Sequence, residues 1–417
     1  MIKLLVVNVY FAPRSFGGAT IVAEEVCLEL ARKGYLPLVV TSISDATLPE
    51  YHLIRYRSKG LDIVAVNLPQ KLTYEDVYSN PRFADAFREI TAAFQPDIIH
   101  MHSVQLLGAG IAQCAIDNNL PYCITMHDCW WICERQFMVN REGNYCFQKH
   151  IDHAVCAYCV DESDKAVIRR QFLRRVVGHA ALTLYPSHFH CELYLANGAA
   201  GDTARVNRNG VRMPNMSYRR RQSRGDVVFG FVGGPGATKG SDVMLKAFER
   251  IERTDYQLLL VDAARNLGKS WAWEMSKWSV GGRVSIVNAY TQDTLDDFFS
   301  KIDVLLFPSQ WKESFGLTVR EALARDVWVV VTDGGGPVED VRDGENGEVV
   351  PIGHDPAPLA CAIERAFDRN WSKYRNPYVG ELQTYAGQAS ELDGFFRDVL
   401  GFKDSVGVSL DKLEPKS

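Results

Sequence analysis

Two glutamates eight residues apart, Glu313 and Glu321, stand in the run SQWKESFGLTVREALARDVWVVVTDGGGPVEDVRDGENGEVV between Ser309 and Val350. A strand-like run from Val304 to Phe307 delivers the chain to Pro308 and Ser309, and a helical pattern begins near Phe315. Glu313 therefore falls in the loop before a helix N-terminus, with Glu321 about two turns further on. Backbone N–H groups left unpaired at such an N-terminus, opened by Gly316, favour a diphosphate. A carboxylate beside an anion site suits hydroxyls, which sugars and riboses supply, better than it suits phosphate. After a second strand, Trp328 to Thr332, the run Gly334, Gly335, Gly336 makes another backbone-lined loop that a ligand can approach closely.

Three further segments carry residues of this kind. Phe231 to Gly240, FVGGPGATKG, reads as a strand followed by glycines, among them Gly233, then Lys239 and a helix start. Its ammonium would add a full positive charge to backbone donors, as a departing diphosphate requires. Gly17 and Gly18 form a strand-to-helix turn near the N-terminus, and His100 and His102 (DIIHMHS) and His127 with Asp128 (ITMHD) stand at strand ends.

Glu313, Ser314, Phe315, Gly316 and Leu317, followed by Glu321-Ala322, Gly335-Gly336, Glu339 and Asn346-Gly347, together resemble the retaining GT-B glycosyltransferases of family 4 (glycosyl transferases group 1). That resemblance implies a GT-B fold, two Rossmann-like doubly wound α/β domains facing a cleft, with a C-terminal helix crossing back to the first domain. It also implies a sugar moved from a nucleotide-sugar donor to an acceptor hydroxyl, such as that of a saccharide or lipid-linked saccharide in surface polysaccharide or glycoconjugate assembly. His127, Lys239 and Glu313 would be catalytic, and Gly17, Gly18, Gly233, Ser314, Phe315, Gly316, Leu317 and Glu321 would bind the donor together with Lys239. Acceptor contacts would come from His100, His102 and Asp128. Catalysis would need no metal, the leaving diphosphate itself assisting the incoming hydroxyl. This chain departs from the family in two places. The diphosphate-binding arginine that usually follows the strand stands as Gly234 or Pro235, and Asp326-Val327-Trp328 replaces the usual glycine and proline. Two alternatives therefore stand beside a transferase: a GT-B nucleotide-sugar epimerase, and a catalytically silent scaffold that binds nucleotide sugar.

The elements that must position these residues are legible as alternating strands and helices, which predicts parallel sheets. Strands are expected at Lys3–Asn8, Leu36–Thr41, Leu61–Val66, Asp97–Met101, Tyr122–Met126 and Ala181–Tyr185, and again at Val227–Val232, Tyr256–Asp262 and Val284–Val287. Helices are expected at Ala19–Lys33, Arg82–Phe94, Leu106–Asp117 and Asp164–Gly178, then at Lys239–Glu252, Trp271–Ser279, Thr291–Ser300 and Pro356–Asn370. At 417 residues the chain suits two domains. Residues 1–212 form the acceptor domain, 213–226 a linker, 227–380 the donor domain, 381–402 the returning helix and 403–417 a polar tail.

No stretch reaches membrane-spanning length and no export signal is read at the start, so a cytoplasmic protein is expected. The formal charge of −5 is uneven: residues 165–224 hold twelve Lys or Arg against Glu192 and Asp202, giving +10 there and −15 elsewhere. Such a window fits an anionic partner, a membrane inner face or phosphorylated acceptor, with no nucleic acid expected. Within a cysteine-rich insertion at 129–160, Cys133, Cys146, Cys156 and Cys159 form a candidate structural zinc set.

Overall fold

The computed structural model describes residues 1–15, 17–221, 225–264 and 269–402. The expected tail, residues 222–224 of the expected linker and Arg224 of the basic window lie outside the described residues.

The first half contains β1 (Lys3–Val7), α1 (Gly18–Arg32), β2 (Leu36–Ile43), β3 (Leu53–Ser58), β4 (Leu61–Asn67), α2 (Tyr74–Tyr78), α3 (Pro81–Phe94) and β5 (Ile98–Met101). It continues through α4 (Ile111–Asp117), β6 (Tyr122–Thr125), α5 (His153–Cys156), α6 (Ser163–Gly178), β7 (Leu182–Tyr185), α7 (His188–Ala196) and β8 (Ala204–Val206). The second half holds β9 (Val227–Phe231), α8 (Ser241–Phe248), β10 (Tyr256–Asp262), β11 (Arg283–Asn288), α9 (Leu295–Phe299), β12 (Val304–Phe307) and α10 (Leu317–Leu323). It closes with β13 (Trp328–Thr332), β14 (Gly347–Val350), α11 (Ala357–Phe367) and α12 (Tyr385–Val399).

Two sheets result, ordered β3-β4-β2-β1-β5-β6-β7-β8 and β11-β10-β9-β12-β13-β14. Every pairing is parallel except β3 with β4. Helices cover both faces, so central strands such as β12 and β13 are buried throughout and read as unbroken apolar runs. The two-domain α/β architecture expected from the alternation is thus the architecture observed.

Local chemistry sets several ends. Asn80 accepts a hydrogen bond from Phe83 N, and Pro81 opens α3 where its missing N–H costs nothing. Ser187 caps α7 through His190 N, and Thr384 caps α12 through Gly387 N. Such caps contribute about 1 kcal/mol each. The antiparallel edge was not expected. It is a hairpin whose two-residue loop, Lys59-Gly60, has φ of 51° and 83°, the primed turn that matches strand twist.

Helix α12 packs against the first sheet's side of the molecule. Tyr385, Ala389, Leu392 and Phe396 share one buried cluster with Leu4, Val22, Val26, Leu30 and Tyr35. Tyr35 donates to Asp393 at 2.8 Å, and Gly210 fits so tightly that a Cβ there would lie 2.3 Å from Tyr385 N.

Several helices differ from the sequence reading, Thr291–Ser300 among them, which shortens to α9 because Thr291 and Thr294 close a turn ahead of it. Trp271–Ser279 contains only a single 3₁₀ turn, Met275–Lys277, because Asp262 accepts from Ala264 N, Ala272 N and Trp273 N and holds the segment extended while Trp273 and Trp278 enter the core. The helix expected from Lys239 begins at Ser241 instead, since Gly240 is left-handed (φ 78°) and separates it from a 3₁₀ turn at Ala237–Lys239. Leu106–Asp117 shortens to α4, because Gly108 and Gly110 press against the Ser79 carbonyl.

Much of the basic window is paired within the chain. Arg169 pairs with Glu134, Arg208 with Asp340, Arg212 with Glu25 and Asp293, and Arg220 and Arg221 with Asp303. Lys165, Arg174 and Arg175 on α6, with Arg205 and Arg219, remain exposed. Among the described residues no helix is long and apolar enough to cross a membrane.

Candidate active site

Lys239 sits where the β9 loop meets the loop leaving β12. Gln310 N donates to Thr238 O at 2.8 Å, and Gly240 approaches so closely that a Cβ would stand 1.9 Å from the Pro308 carbonyl oxygen. This contact aims Lys239 at Glu313: Nζ lies 2.8 Å from Oε1, which also accepts from Ser309 Oγ at 2.5 Å. Trp311 lies beneath, its ring centroid 5.4 Å from Nζ. Thr332 Oγ1 holds the Ser309 carbonyl at 2.6 Å, fixing the loop from below. Trp311, Ser309 and Thr332 were not singled out from the sequence, although two of them adjoin the Glu313 motif.

The glycine loop beyond β13 runs beside Glu313. Gly336 N donates to Glu313 O at 3.0 Å, and Arg320, fully buried, binds Asp340 through Nε at 2.6 Å and Gly336 O through Nη2 at 2.8 Å. Its third contact is the Phe315 carbonyl, and its guanidinium stacks 4.0 Å from the Phe315 ring centroid. One arginine thereby fixes both the Ser314–Gly316 turn and the Gly335–Gly336 loop. Gly316 caps α10 with φ 79°, which an L side chain resists.

Glu321 does not join the Lys239–Glu313 pair. Its two carboxylate oxygens accept from Tyr290 OH and Gln292 Nε2, each at 3.0 Å, and burial raises its pKa. The ribose role expected for it is therefore a role for a carboxylate already held in place.

Across the cleft, α1 begins at Gly18 with no side-chain cap and no acidic residue in its first turn. A Cβ on Gly18 would lie 3.8 Å from Leu317 Cβ, so the Gly17-Gly18 turn faces the start of α10 directly. The Ser314 hydroxyl donates to the His127 carbonyl, and Ser187 Oγ donates to Ser314 O at 2.6 Å. Glu339 accepts from His188 N and Phe189 N, at the start of α7. Gly233 lies against the Lys239 side chain, where a Cβ would stand 3.2 Å from Lys239 Cβ. The donor segments expected from the sequence are thus brought together, with Glu321 one turn into α10 and held by Tyr290 and Gln292.

His100, His102 and His127 form a buried column. His102 Nδ1 lies 2.9 Å from His127 Nε2, one of the two donating, and His100 Nε2 lies 2.8 Å from Thr125 Oγ1. Burial holds His100 and His127 down at about 3 and His102 well below its usual value, so all three are neutral at pH 7. Asp128, expected at the acceptor, is engaged inward by Gln105, Gln136 and Trp130 N. Burial raises it to about 6 against those bonds.

A pH dependence of stability follows. His100 and His127, lowered from 6.5 to about 3, each gain a proton on unfolding below pH 6.5, so their contribution is present above 6.5 and lost as pH falls toward 3. Each adds a slope approaching about 1.4 kcal/mol per pH unit. Asp128 works oppositely, its contribution present below 3.8 and lost as pH rises through about 6. Two histidines outweigh one carboxyl, so urea midpoints are expected to fall from pH 7 to pH 5. A midpoint that holds or rises over that interval would contradict this balance.

In the cysteine insertion the four residues of the candidate zinc set lie close together: the thiol pKa values of Cys133, Cys146 and Cys156 are raised, burial being the larger cause and other members of the set adding to it. Cys133, Cys146, Cys156 and Cys159 are free thiols, and among the described residues no three His, Cys, Asp or Glu side chains are arranged to hold a metal ion. The insertion has its own apolar support in Met138 and Tyr145 packed with Trp311 and Leu193. Cys133, Cys156 and Cys159 line a groove of about 330 Å³ against α6.

Residues 16–213 match the family described as Glycosyltransferase Family 4, and residues 218–379 match that described as Glycosyl transferases group 1. A D-inositol 3-phosphate glycosyltransferase of Corynebacterium diphtheriae is 32% identical over 182 residues, 41% of this chain and 42% of that protein. The putative glycosyltransferase YtcC of Bacillus subtilis is 26% identical over 200 residues, 44% of this chain and 48% of that one. The chain spans less than half the length of these curated relatives. Sucrose-phosphate synthase from Thermosynechococcus elongatus superposes with a TM-score of 0.69 at 19% identity, covering 97% of this chain and 100% of that one. Anabaena Alr3699/HepE in complex with UDP and glucose gives 0.65 at 16%, covering 95% and 99%. At these identities the likeness is one of fold.

Proposed function

The chain belongs to the family 4, group 1 glycosyltransferases, and from that premise we propose that it moves a sugar from a nucleotide-sugar donor to an acceptor hydroxyl with retention of configuration. One observation carries the reading: an ammonium and a carboxylate in contact, Lys239 and Glu313, the latter just ahead of α10, whose start meets the uncapped start of α1 from the other half. Without donor the two neutralise each other. With donor, Lys239 turns to the diphosphate, joined by backbone N–H groups at Gly17, Gly18, Gly316 and Leu317, and Glu313 is released to accept from sugar hydroxyls. As the sugar–oxygen bond breaks, negative charge grows on the diphosphate where these donors wait. The acceptor oxygen bonds to the anomeric carbon on the face the diphosphate leaves, and its proton passes to a diphosphate oxygen. No protein base is required. His127, neutral, offers a hydrogen bond rather than a charge. Glu321, steadied by Tyr290 and Gln292, keeps lone pairs free for ribose hydroxyls.

A uridine diphosphate sugar is the first donor to try, since HepE of like fold is seen with UDP. The test incubates the full chain with UDP-, ADP- and GDP-hexoses and follows nucleoside diphosphate release with and without a saccharide panel. Slow release that accelerates with one acceptor, giving a product of unchanged anomeric configuration by NMR, is the expected result. Interconversion of two nucleotide sugars without acceptor would make the protein an epimerase, and binding without turnover a scaffold.

A further inference from the structure

The insertion at 129–160 reaches across the cleft. It buries Trp311 beneath Cys129, Met138 and Tyr145, and Asn144 meets His354 Nε2 at 2.9 Å. At its tip the backbone takes an unfavourable course. Gln136 and Met138 are both left-handed, with φ of 65° and 54°, and neither is glycine. Such a conformation is unfavourable for an L side chain and persists only where the surroundings enforce it. Here they do. The Gln136 side chain is tied to Asp128 at 2.7 Å, its carbonyl accepts from Cys129 N, and Met138, 2% exposed, is locked in the core with its carbonyl accepting from Cys146 N. The residue between them, Phe137, is 40% exposed. Two pinned, strained neighbours thus hold an apolar ring out over Trp311, with part of its surface open to solvent. That ring lies 4.8 Å from Trp311, whose own ring lies 5.4 Å from Lys239 Nζ.

We propose that Phe137, backed by Trp311, is the platform on which the apolar C–H face of an acceptor pyranose lies, a specificity-determining contact that rests on the glycosyl-transfer reading above. The ring and the insertion that presents it belong to the first half of the chain, while Lys239 and Glu313 belong to the second. The acceptor sugar is then sandwiched between the half that selects it and the half that holds the leaving group. An aromatic face is a large, rigid apolar surface that loses little conformational freedom on contact, and a pyranose offers axial C–H groups to meet it while its hydroxyls stay free at the rim.

The competing role for Phe137 is to cover Trp311 and hold the two halves together, and leucine would cover it nearly as well. Saturation-transfer NMR on the full chain with saturating UDP, using methyl α- and β-glucopyranoside, galactopyranoside and mannopyranoside as probes, separates the two. Wild type is expected to transfer saturation to the ring C–H protons of at least one glycoside. Phe137→Leu and Phe137→Ala should weaken that glycoside's binding about fivefold or more, and Phe137→Tyr should retain it. UDP affinity by calorimetry should stay within about twofold in all three, since the platform touches the acceptor and not the donor. Glycoside binding unchanged in Phe137→Leu, or no glycoside binding by a wild type that does bind UDP, overturns the platform. A wild type that binds no nucleoside diphosphate overturns the transfer reading and this inference with it.

Discussion

Lys239→Ala is expected to slow donor-dependent release of nucleoside diphosphate by about 10²–10³-fold, the usual cost of removing one donor aimed at developing charge. No arginine shares its loop, because the position of the family's arginine is held by Gly234 or Pro235. Its side chain is 35% exposed, so the substitution leaves little packing behind, and Glu313 keeps the Ser309 hydroxyl as a partner. Stability should therefore fall by no more than about 1 kcal/mol. Glu313→Gln keeps the shape and removes the charge, and should reduce the rate by a comparable factor through lost hold on the sugar hydroxyls. Because each residue restrains the other before donor arrives, the double variant should lose less than the product of the two single losses. Steady-state release rates for the four proteins give the cycle. A Lys239→Ala enzyme within tenfold of wild type would remove this residue from the chemistry.

The second large effect is expected from a methyl group. Gly240→Ala places a Cβ 1.9 Å from the Pro308 carbonyl oxygen at a backbone φ of 78°, so both the turn and the β12 loop must move. The predicted cost is about 3 kcal/mol in stability. Activity should fall further than stability accounts for, because the same contact aims Lys239. Gly234→Ala is the control. It is also left-handed, at φ 68°, but its Cβ would meet nothing within 4 Å, leaving the conformational term of about 1 kcal/mol alone. Denaturant titrations of the two variants should separate by roughly the difference. Equal midpoints would mean the Pro308 approach has no energetic weight.

What could be read from the chain alone divides along a physical line. Parallel strands with both faces buried, such as β12 and β13, announce themselves as apolar runs, and the Glu313–Leu317 motif lies next to one of them. The hairpin of β3 and β4 did not, because its turn is Lys-Gly rather than Asn-Gly and the strand is half solvated. Segment 271–279 carries a helical pattern of apolar residues, yet Asp262 draws three of the chain's backbone N–H groups into loop contacts that no periodicity reveals. At the site, contacts local in sequence or fixed by glycine were visible, while long-range ones were not. Arg320 reads as a surface helix residue and is fully buried, because two loops twenty residues apart converge on its guanidinium. The arginines of the basic window looked like a patch for an external anion, and five of them instead pair with acidic residues of the same chain that sequence distance conceals.

Helix α12 is the last of the described elements but completes the apolar surface built by α1 and the first sheet. For anyone recombining the two halves, the seam between them does not fall at one point in the sequence. A hybrid with a single junction between the halves would set a foreign terminal helix against Val22, Val26 and Leu30. Exchange of the acceptor half calls for two junctions, one before β9 and one before Tyr385, so that the closing helix travels with the lobe it seals.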